Sequence, residues 1–293
     1  MLDFDAETRP ARVEGAAGRY TMVIPLGWEG GPGVPYGGWT TAVALRAAGL
    51  EAQRARPASL AAQFLRPLAL AAGSIDIEVE VLRSGRRTET IRVALSQHGK
   101  LGVHALVTST GAAAGLEYEP ERAPDPIPRE GMVLLGEVIR RDGGDLPPGH
   151  HIEHYEYRVP DDRNAEGIVS ADGKRALVGW IRYGDGVAYD DPWIEAARYC
   201  VPADTQVPAA FLRAGILGTK PGGAGDRPFR GTTLDLLLHF HRTERSTDWL
   251  WYETHVQVAH GGLASGTCNL WSEEGALLAT SMSQVAFLGL PPA

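Results

Sequence analysis

Two rhythms of apolar and polar residues run along this chain. Ser74-Ile-Asp-Ile-Glu-Val-Glu-Val-Leu82 alternates at nearly every step, which predicts a strand with one buried and one wet face. Thr88–Leu95 and Leu101–Thr110 continue as strands, linked by the turn signals Ser84-Gly85 and Gln97-His-Gly-Lys100. Leu60–Leu65 precedes them, so the segment reads as an antiparallel meander. Ahead of it, Trp39–Arg54 is Ala-rich and apolar nearly all round its first half. That is the pattern of a helix covered by a sheet, stopped by Pro57. A strand at Arg19–Trp28 and a Gly/Pro-rich loop at Glu29–Gly38 lead into the helix. Strand, helix and meander define an α+β unit in which a sheet wraps one helix.

The same order returns later. Strands are expected at His154–Val159 and Arg175–Tyr183. Asp191-Pro192 supplies a cap and a first-turn proline, with a helix over Pro192–Val201 broken up by Pro202 and Pro208. A Gly/Pro-rich loop at Gly218–Gly231 follows. Strands Trp249–Val258, Leu263–Trp271 and Ala276–Leu288 then complete a second meander. Between the units, Ala112–Gly149 is rich in Pro, Glu and Gly and reads as a linker with a short helix near Met132–Arg140. The division is 1–111, 112–149 and 150–293.

The two units share a register. Ser59-Leu-Ala-Ala-Gln-Phe-Leu-Arg66 returns as Asp235-Leu-Leu-Leu-His-Phe-His-Arg242, each position 176 residues on. Without a gap, the same offset maps Gly85 onto Gly261, Ser96 onto Ser272, Gly99 onto Gly275 and Leu101 onto Leu277. A constant offset over some forty positions points to two copies of one β-rich unit. The copies differ chemically where Ser59 is replaced by Asp235.

Composition narrows the function. The chain has 293 residues, 44% of them hydrophobic, and a net charge of −8. That charge argues against nucleic acid and against an anionic membrane surface as partners. No apolar run reaches the length of a membrane helix, and the acidic start MLDFDAETRPARVEG is no secretory signal. Cys200 and Cys268 lack metal-like spacing and read as free thiols of a reducing cytoplasm. No serine sits in a G-x-S-x-G elbow, and no P-loop or dinucleotide fingerprint occurs.

Asp235 opens an alternating strand. Leu234, Leu236, Leu238 and Phe240 form one face, and Asp235, Leu237, His239 and His241 the other. A carboxylate on that second face, shielded by the neighbouring unit, is suited to take a proton from attacking water. The alternative is a solvated strand-start residue or an ion pair with Arg242. Gln284 or Gln257 would orient the water or donate to an oxyanion, or be ordinary polar strand positions. His239 and His241 are candidate bases or hydrogen-bonded structural residues, and no third ligand with metal-like spacing lies near them. Gly37-Gly38 at the helix mouth would offer backbone N–H groups to a carbonyl oxygen, or serve a tight turn. Asp204 in Pro-Ala-Asp-Thr-Gln would shape the site or cap a turn.

Three motifs carry a family resemblance: Pro35-Tyr-Gly-Gly-Trp39; Ser59–Pro67 with Leu82–Arg86 and Gln97–Lys100; and Thr233–Arg242 with Trp249-Leu250 and Gly275–Gln284. In order and spacing they resemble the type II acyl-CoA thioesterases, which hold two hotdog folds in one chain. The resemblance implies a double hotdog and hydrolysis of an acyl-CoA or acyl-carrier thioester without a covalent acyl-enzyme. In that family an Asp, a Thr and a Gln act on water. The Asp position falls on Asp235 and the Thr position near Gln257, so the threonine is not retained there. The Gln position falls on Ser283, unless a β-bulge brings Gln284 into the site. Gly37, Gly38 and His239 are then the substrate-contact candidates. No cofactor or metal is implied, the setting is cytoplasmic, and homo-oligomer formation stays open. Two alternatives remain: a non-catalytic acyl-binding hotdog protein, and an enoyl-thioester hydratase using His239 or His241.

Overall fold

The computed structural model describes residues 3–111, 115–118, 127–141, 150–161, 176–184, 187, 189–213, 229–242 and 248–289. The first unit contains α1 (Phe4–Thr8), β1 (Ala11–Arg12), β2 (Arg19–Val23), β3 (Glu29–Gly31), β4 (Val34–Pro35) and α2 (Gly37–Glu51). Its meander is β5 (Arg56–Phe64), β6 (Ser74–Ser84), β7 (Thr88–Gln97) and β8 (Lys100–Thr110). The stretch expected as a linker contributes β9 (Met132–Leu134) and α3 (Leu135–Arg141). The second unit holds β10 (Tyr155–Pro160), β11 (Ala176–Tyr183), α4 (Pro192–Arg213), β12 (Phe229–Phe240), β13 (Leu250–His260), β14 (Leu263–Trp271) and β15 (Leu277–Gly289).

All strands but β3 and β4 join one sheet, in the order β1-β2-β6-β7-β8-β5-β12-β15-β14-β13-β11-β10-β9. The units meet where β5 pairs antiparallel with β12, from Asp235↔Gln63 to His239↔Ser59. The middle pair is Ala61↔Leu237, and those two residues are themselves 176 apart. The sequence repeat is therefore a local two-fold axis passing through that pair. The symmetry extends to irregularities. β12 bulges at Leu234, between the pairs Thr233↔Val285 and Asp235↔Gln284. β5 bulges at Ala58, between Pro57↔Ser109 and Ser59↔Thr108.

The inner face of this sheet wraps α2 and α4, which lie against each other. One apolar core runs through both units, from Val43, Leu45, Leu60 and Ile91 to Tyr199, Val201, Leu238 and Leu270. The α2 helix is buried from Gly38 to Ala48, as its all-round apolar pattern requires. Asp191 caps α4 as expected, its Oδ1 accepting from Trp193 N at 2.7 Å. The helix does not stop at Val201, however, but runs on to Arg213 with Pro202 and Pro208 inside it. Each proline removes one N–H, and the packing of α4 between the sheet and α2 outweighs that loss. The expected loop at Gly218–Gly231 lies outside the described residues as far as 228, and β12 already begins at Phe229.

Segment 127–134 does more than connect. It covers the outer face of the second unit, where Met132 packs with Trp180, Trp251 and Trp271 and the Trp180 indole donates to Ile127 O at 2.9 Å. Cys200 and Cys268 are buried free thiols, and burial pushes both up to about 12, which leaves them inert. Among the described residues no helix is long and apolar enough to cross a membrane.

The seam predicts shared stability. Leu60 and Leu238 face each other across it, both wholly buried. Leu60→Ala should cost about 2–5 kcal/mol and lower both units together in a single cooperative denaturant transition. Two separated transitions would show independent units.

Candidate active site

The site is built where α2 points at α4. The loop before α2 is short and glycine-rich, and Tyr36 N donates to Trp28 O at 2.7 Å to fix the helix start. A Cβ on Gly37 would lie 2.6 Å from Asp204 Oδ2, and one on Gly38 would lie 2.7 Å from Val201 Cα. Only glycine lets the amino end of α2 press this closely on the middle of α4. The first N–H groups of a helix have no partner inside it, and this end carries the positive pole of the helix dipole. Asp204 is thus held against the positive end of the helix from the other unit.

The Asp204 carboxyl is buried, and burial pushes its pKa up to about 6. The Thr233 hydroxyl, the Gly38 N–H and the Tyr36 hydroxyl lie near it and favour the charged form, so the rise stops there. Asp204 Oδ1 makes no hydrogen bond among the described residues. The neighbouring Thr205 hydroxyl bonds Tyr36 Oη, which also donates to Val201 O at 2.6 Å.

Two strands complete the site. Thr233 pairs with buried Val285 and shares its inward face, because it precedes the bulge at Leu234. Ser283 is buried on the same face of β15, paired with Leu236 and Gly266. Its Oγ has no hydrogen-bond partner among the described residues. Val207, one helical turn beyond Asp204, lies over Gly266, where a Cβ would meet Val207 Cγ1 at 3.0 Å. A buried carboxylate, a hydroxyl-bearing strand and a helix N-terminus in one place are suited to polarise a carbonyl and activate water.

Of the residues singled out from the sequence, Gly37, Gly38, Asp204 and Ser283 are at this site and the others lie elsewhere. Asp235 pairs with Gln63 on one side and Gln284 on the other, both exposed, so it belongs to the outer face of the sheet. Its Oδ1 accepts the Gln284 N–H at 2.9 Å and ties down the bulge. The strand of Gln284 does bulge, at Leu278 between the pairs Leu270↔Ala279 and Trp271↔Leu277, yet Gln284 stays exposed, while the bulge of β12 at Leu234 turns Thr233 inward. Gln257 sits at a bulge of β13, exposed, with Ser265 Oγ at 3.4 Å from its Oε1. Ser265 in turn pairs with Gln284. Asp235, Gln284 and Gln257 thus line up, but on the convex outer side of the sheet. His239 is exposed on that side, opposite Ser59 and Thr280. Gly37 and Gly38 are at the site, and they face Asp204 of the second unit. At the related place in the first unit the bulge persists, but Pro57 and Val107 stand where the second has Thr233 and Ser283.

One sequence signal pointed to Asp204. Glu195 and Arg198, both buried in α4, neutralise each other at 3.0 Å. Asp204 has no basic residue three or four positions away, only Cys200, Val201, Val207 and Pro208. An unpaired acid in an apolar helix is a costly placement that calls for a use.

An antiparallel sheet wrapped round two antiparallel-packed helices, with a site at the seam between units, defines a double hotdog. Residues 24–110 match the acyl-CoA thioesterase N-terminal domain and residues 123–288 the acyl-CoA thioesterase C-terminal domain. The chain belongs to the acyl-CoA thioesterase family and is a thioester hydrolase. No protein of curated function matches the sequence. Among solved structures, the fold is similar to acyl-CoA thioesterase II TesB2 from Mycobacterium marinum, at 20% identity and TM-score 0.76, covering 98% of this chain and 99% of that one. It is also similar to a tesB protein of Mycobacterium avium subs. paratuberculosis, at 22% identity and TM-score 0.74, covering 99% and 98%. A hot dog fold protein from Alicyclobacillus acidocaldarius aligns at 19% identity and TM-score 0.77, covering 98% of each chain.

The raised Asp204 pKa sets a pH effect on stability. Its unfolded value is 3.8 and its folded value about 6, so the folded chain holds the proton more tightly between those limits. Stability from this group is greatest below about pH 4 and falls as pH rises to about 6. Asp204→Asn should remove that slope and stabilise the protein at pH 7 by roughly 1–3 kcal/mol, read from denaturant melts at pH 4, 6 and 7.

Proposed function

We propose that this protein hydrolyses acyl-CoA thioesters at a single site per chain, with Asp204 as the base. The observation that carries this reading is the buried Asp204 carboxylate, without a basic residue three or four positions away on its helix, set against the N-terminus of α2. The thioester carbonyl oxygen docks at the amino end of α2, where the helix end stabilises the negative charge that develops. Asp204 takes a proton from water as the water oxygen bonds the carbonyl carbon. Thr233 holds that water, with Ser283 on the same face. The tetrahedral intermediate then collapses, the C–S bond breaks, and the proton passes from Asp204 to the departing thiolate. The products are the free acid and the thiol.

The apolar core between helices and sheet offers the acyl chain a route, each buried methylene contributing about 0.8 kcal/mol. Pro57 and Val107 leave the related place in the first unit without a hydroxyl, which supports one site per chain. The hydratase alternative needed a histidine in the site, but His239 and His241 are both exposed, and His241 Nε2 meets Thr280 Oγ1 at 3.1 Å. The non-catalytic alternative is motivated by a missing threonine and a shifted glutamine; Thr233 beside Asp204 supplies a threonine, and buried Ser283 stands at the ungapped glutamine position.

Asp204→Asn should lower kcat/KM on acyl-CoA by about 10²–10⁴-fold, whereas Asp235→Asn keeps most of it. In the wild type, kcat/KM should rise with pH through a value near 6 as Asp204 ionises. A free-thiol release assay across pH 4.5–8 reads both. Full activity in Asp204→Asn, or its loss in Asp235→Asn, would sink the mechanism.

A further inference from the structure

The outer face of the sheet is charged towards its ends and nearly bare of charge at its centre. Near one end Arg92 of β7 pairs with Glu78 and Glu80 of β6, and Arg19 of β2 also reaches Glu78. Near the other, Glu156 of β10 binds Arg158 and Arg182. Between them lie five segments paired side by side: 104–108 of β8, 59–63 of β5, 235–239 of β12, 280–284 of β15 and 265–269 of β14. Their inward positions are buried. Their outward side chains are Ser, Thr, Asn, Gln, His, Ala, Leu and Met, with Asp235 as the one formal charge. Even that carboxylate is tied to the Gln284 N–H at 2.9 Å.

An apolar row crosses the middle of this face. Leu106, Ala61, Leu237 and Met282 stand side by side on β8, β5, β12 and β15. The three large members are 41%, 37% and 46% exposed, so the row lies in water. The two-fold axis of the repeat passes through its centre. It exchanges Ala61 with Leu237, and Leu106 with Met282, which are also 176 positions apart. A contiguous apolar row rimmed by uncharged polar groups marks an interaction surface.

The chemistry of the face selects its occupant. Without Lys or Arg it has no attraction for nucleic acid or an anionic membrane. The face of a sheet, unlike its edge, offers no free backbone to an added strand. A second copy of the chain fits. Each copy carries a net charge of −8, so two copies repel, and they approach best where charge is least. Sheets pack face to face about 10 Å apart. With the row reversed about a two-fold axis, Ala61 of each copy lies opposite Leu237 of the other, and Leu106 opposite Met282. Small then meets large at the axis, in the reciprocal contact that two-fold pairs make. Strand spacing and rise make the uncharged area about 24 Å by about 17 Å, or about 800 Å² of flat face over two copies. Side chains standing off the sheet bring the accessible area to the roughly 1,000 Å² that a specific interface needs.

We propose that this protein pairs with a second copy through the central outer face of its sheet, with Ala61 of each copy against Leu237 of the other. The Asp204 site lies on the inner side and stays open, so the pairing goes beyond the chemistry proposed there and does not depend on it.

Sedimentation velocity over about 1–100 µM reads the pairing, with the dimer expected to dominate at the upper end. Leu237→Glu and Ala61→Lys, each alone, should weaken the dimer by at least about 100-fold, because each buries an unpaired charge. An equimolar mixture of the two variants should form dimers again, since Lys at 61 of one copy meets Glu at 237 of the other. Leu106→Lys and Met282→Glu should behave alike, and they give the same readout if a variant of the first pair fails to fold. These side chains point away from the core, so kcat/KM and Tm of each variant should match the wild type. A wild type that stays monomeric at about 100 µM overturns the proposal. So does a dimer that survives Leu237→Glu, because another face then holds it. Mixed variants that fold but stay monomeric overturn it as well, since the pairing of Ala61 with Leu237 is then wrong.

Discussion

The pairing of β5 with β12 is the constraint on which the rest of the structure depends. Backbone hydrogen bonds across that seam turn two meanders into one sheet, and the sheet's curvature encloses both helices in a common core. A strand edge left open at either place would be a row of unpaired donors and acceptors. Each unit therefore covers the other's edge. The seam also decides where chemistry can occur. It brings the amino end of α2, from the first unit, onto Asp204 of the second, and neither unit holds the site alone.

The site itself is a balance of two electrostatic effects. Burying a carboxylate raises its free energy, while a helix N-terminus and a nearby hydroxyl lower it again. Asp204 ends with a pKa of about 6, near enough to neutrality to take a proton and to give it back. The glycines at 37 and 38 matter because close approach makes the helix end effective. The bulge at Leu234 matters because it sets Thr233 and Asp235 on opposite sides of one sheet.

Much of the architecture was legible in the chain. Alternation over 74–110 gave three strands close to their observed limits, and the 176-residue offset gave a real two-fold axis, down to the paired bulges at Ala58 and Leu234. Helix α4 was less legible, since two prolines mimic a stop that the surrounding packing overrides. The polar candidates on β12, β13 and β15 lie on the outer face of the sheet, away from Asp204. Asp235 sits in a conspicuous alternating pattern, and alternation cannot say which side is wet when both units contribute to the surface. Asp204 was visible as a residue that would shape the site or cap a turn, and as an acid lacking a basic neighbour on its helix. What the chain could not reveal was the approach of α2 to α4, a contact between residues some 165 positions apart.

That same separation has a consequence for how the chain is made. β5 leaves the ribosome long before β12, with more than 160 residues between them. Until β12 arrives, the first unit presents β5 as a bare edge, with Leu60 and Ala62 lacking half of their eventual neighbours. Contacts between such distant segments form slowly because the loop must close first. During that interval the nascent first unit is an open template for pairing with another chain. The seam that completes the enzyme is, during synthesis, its most exposed point.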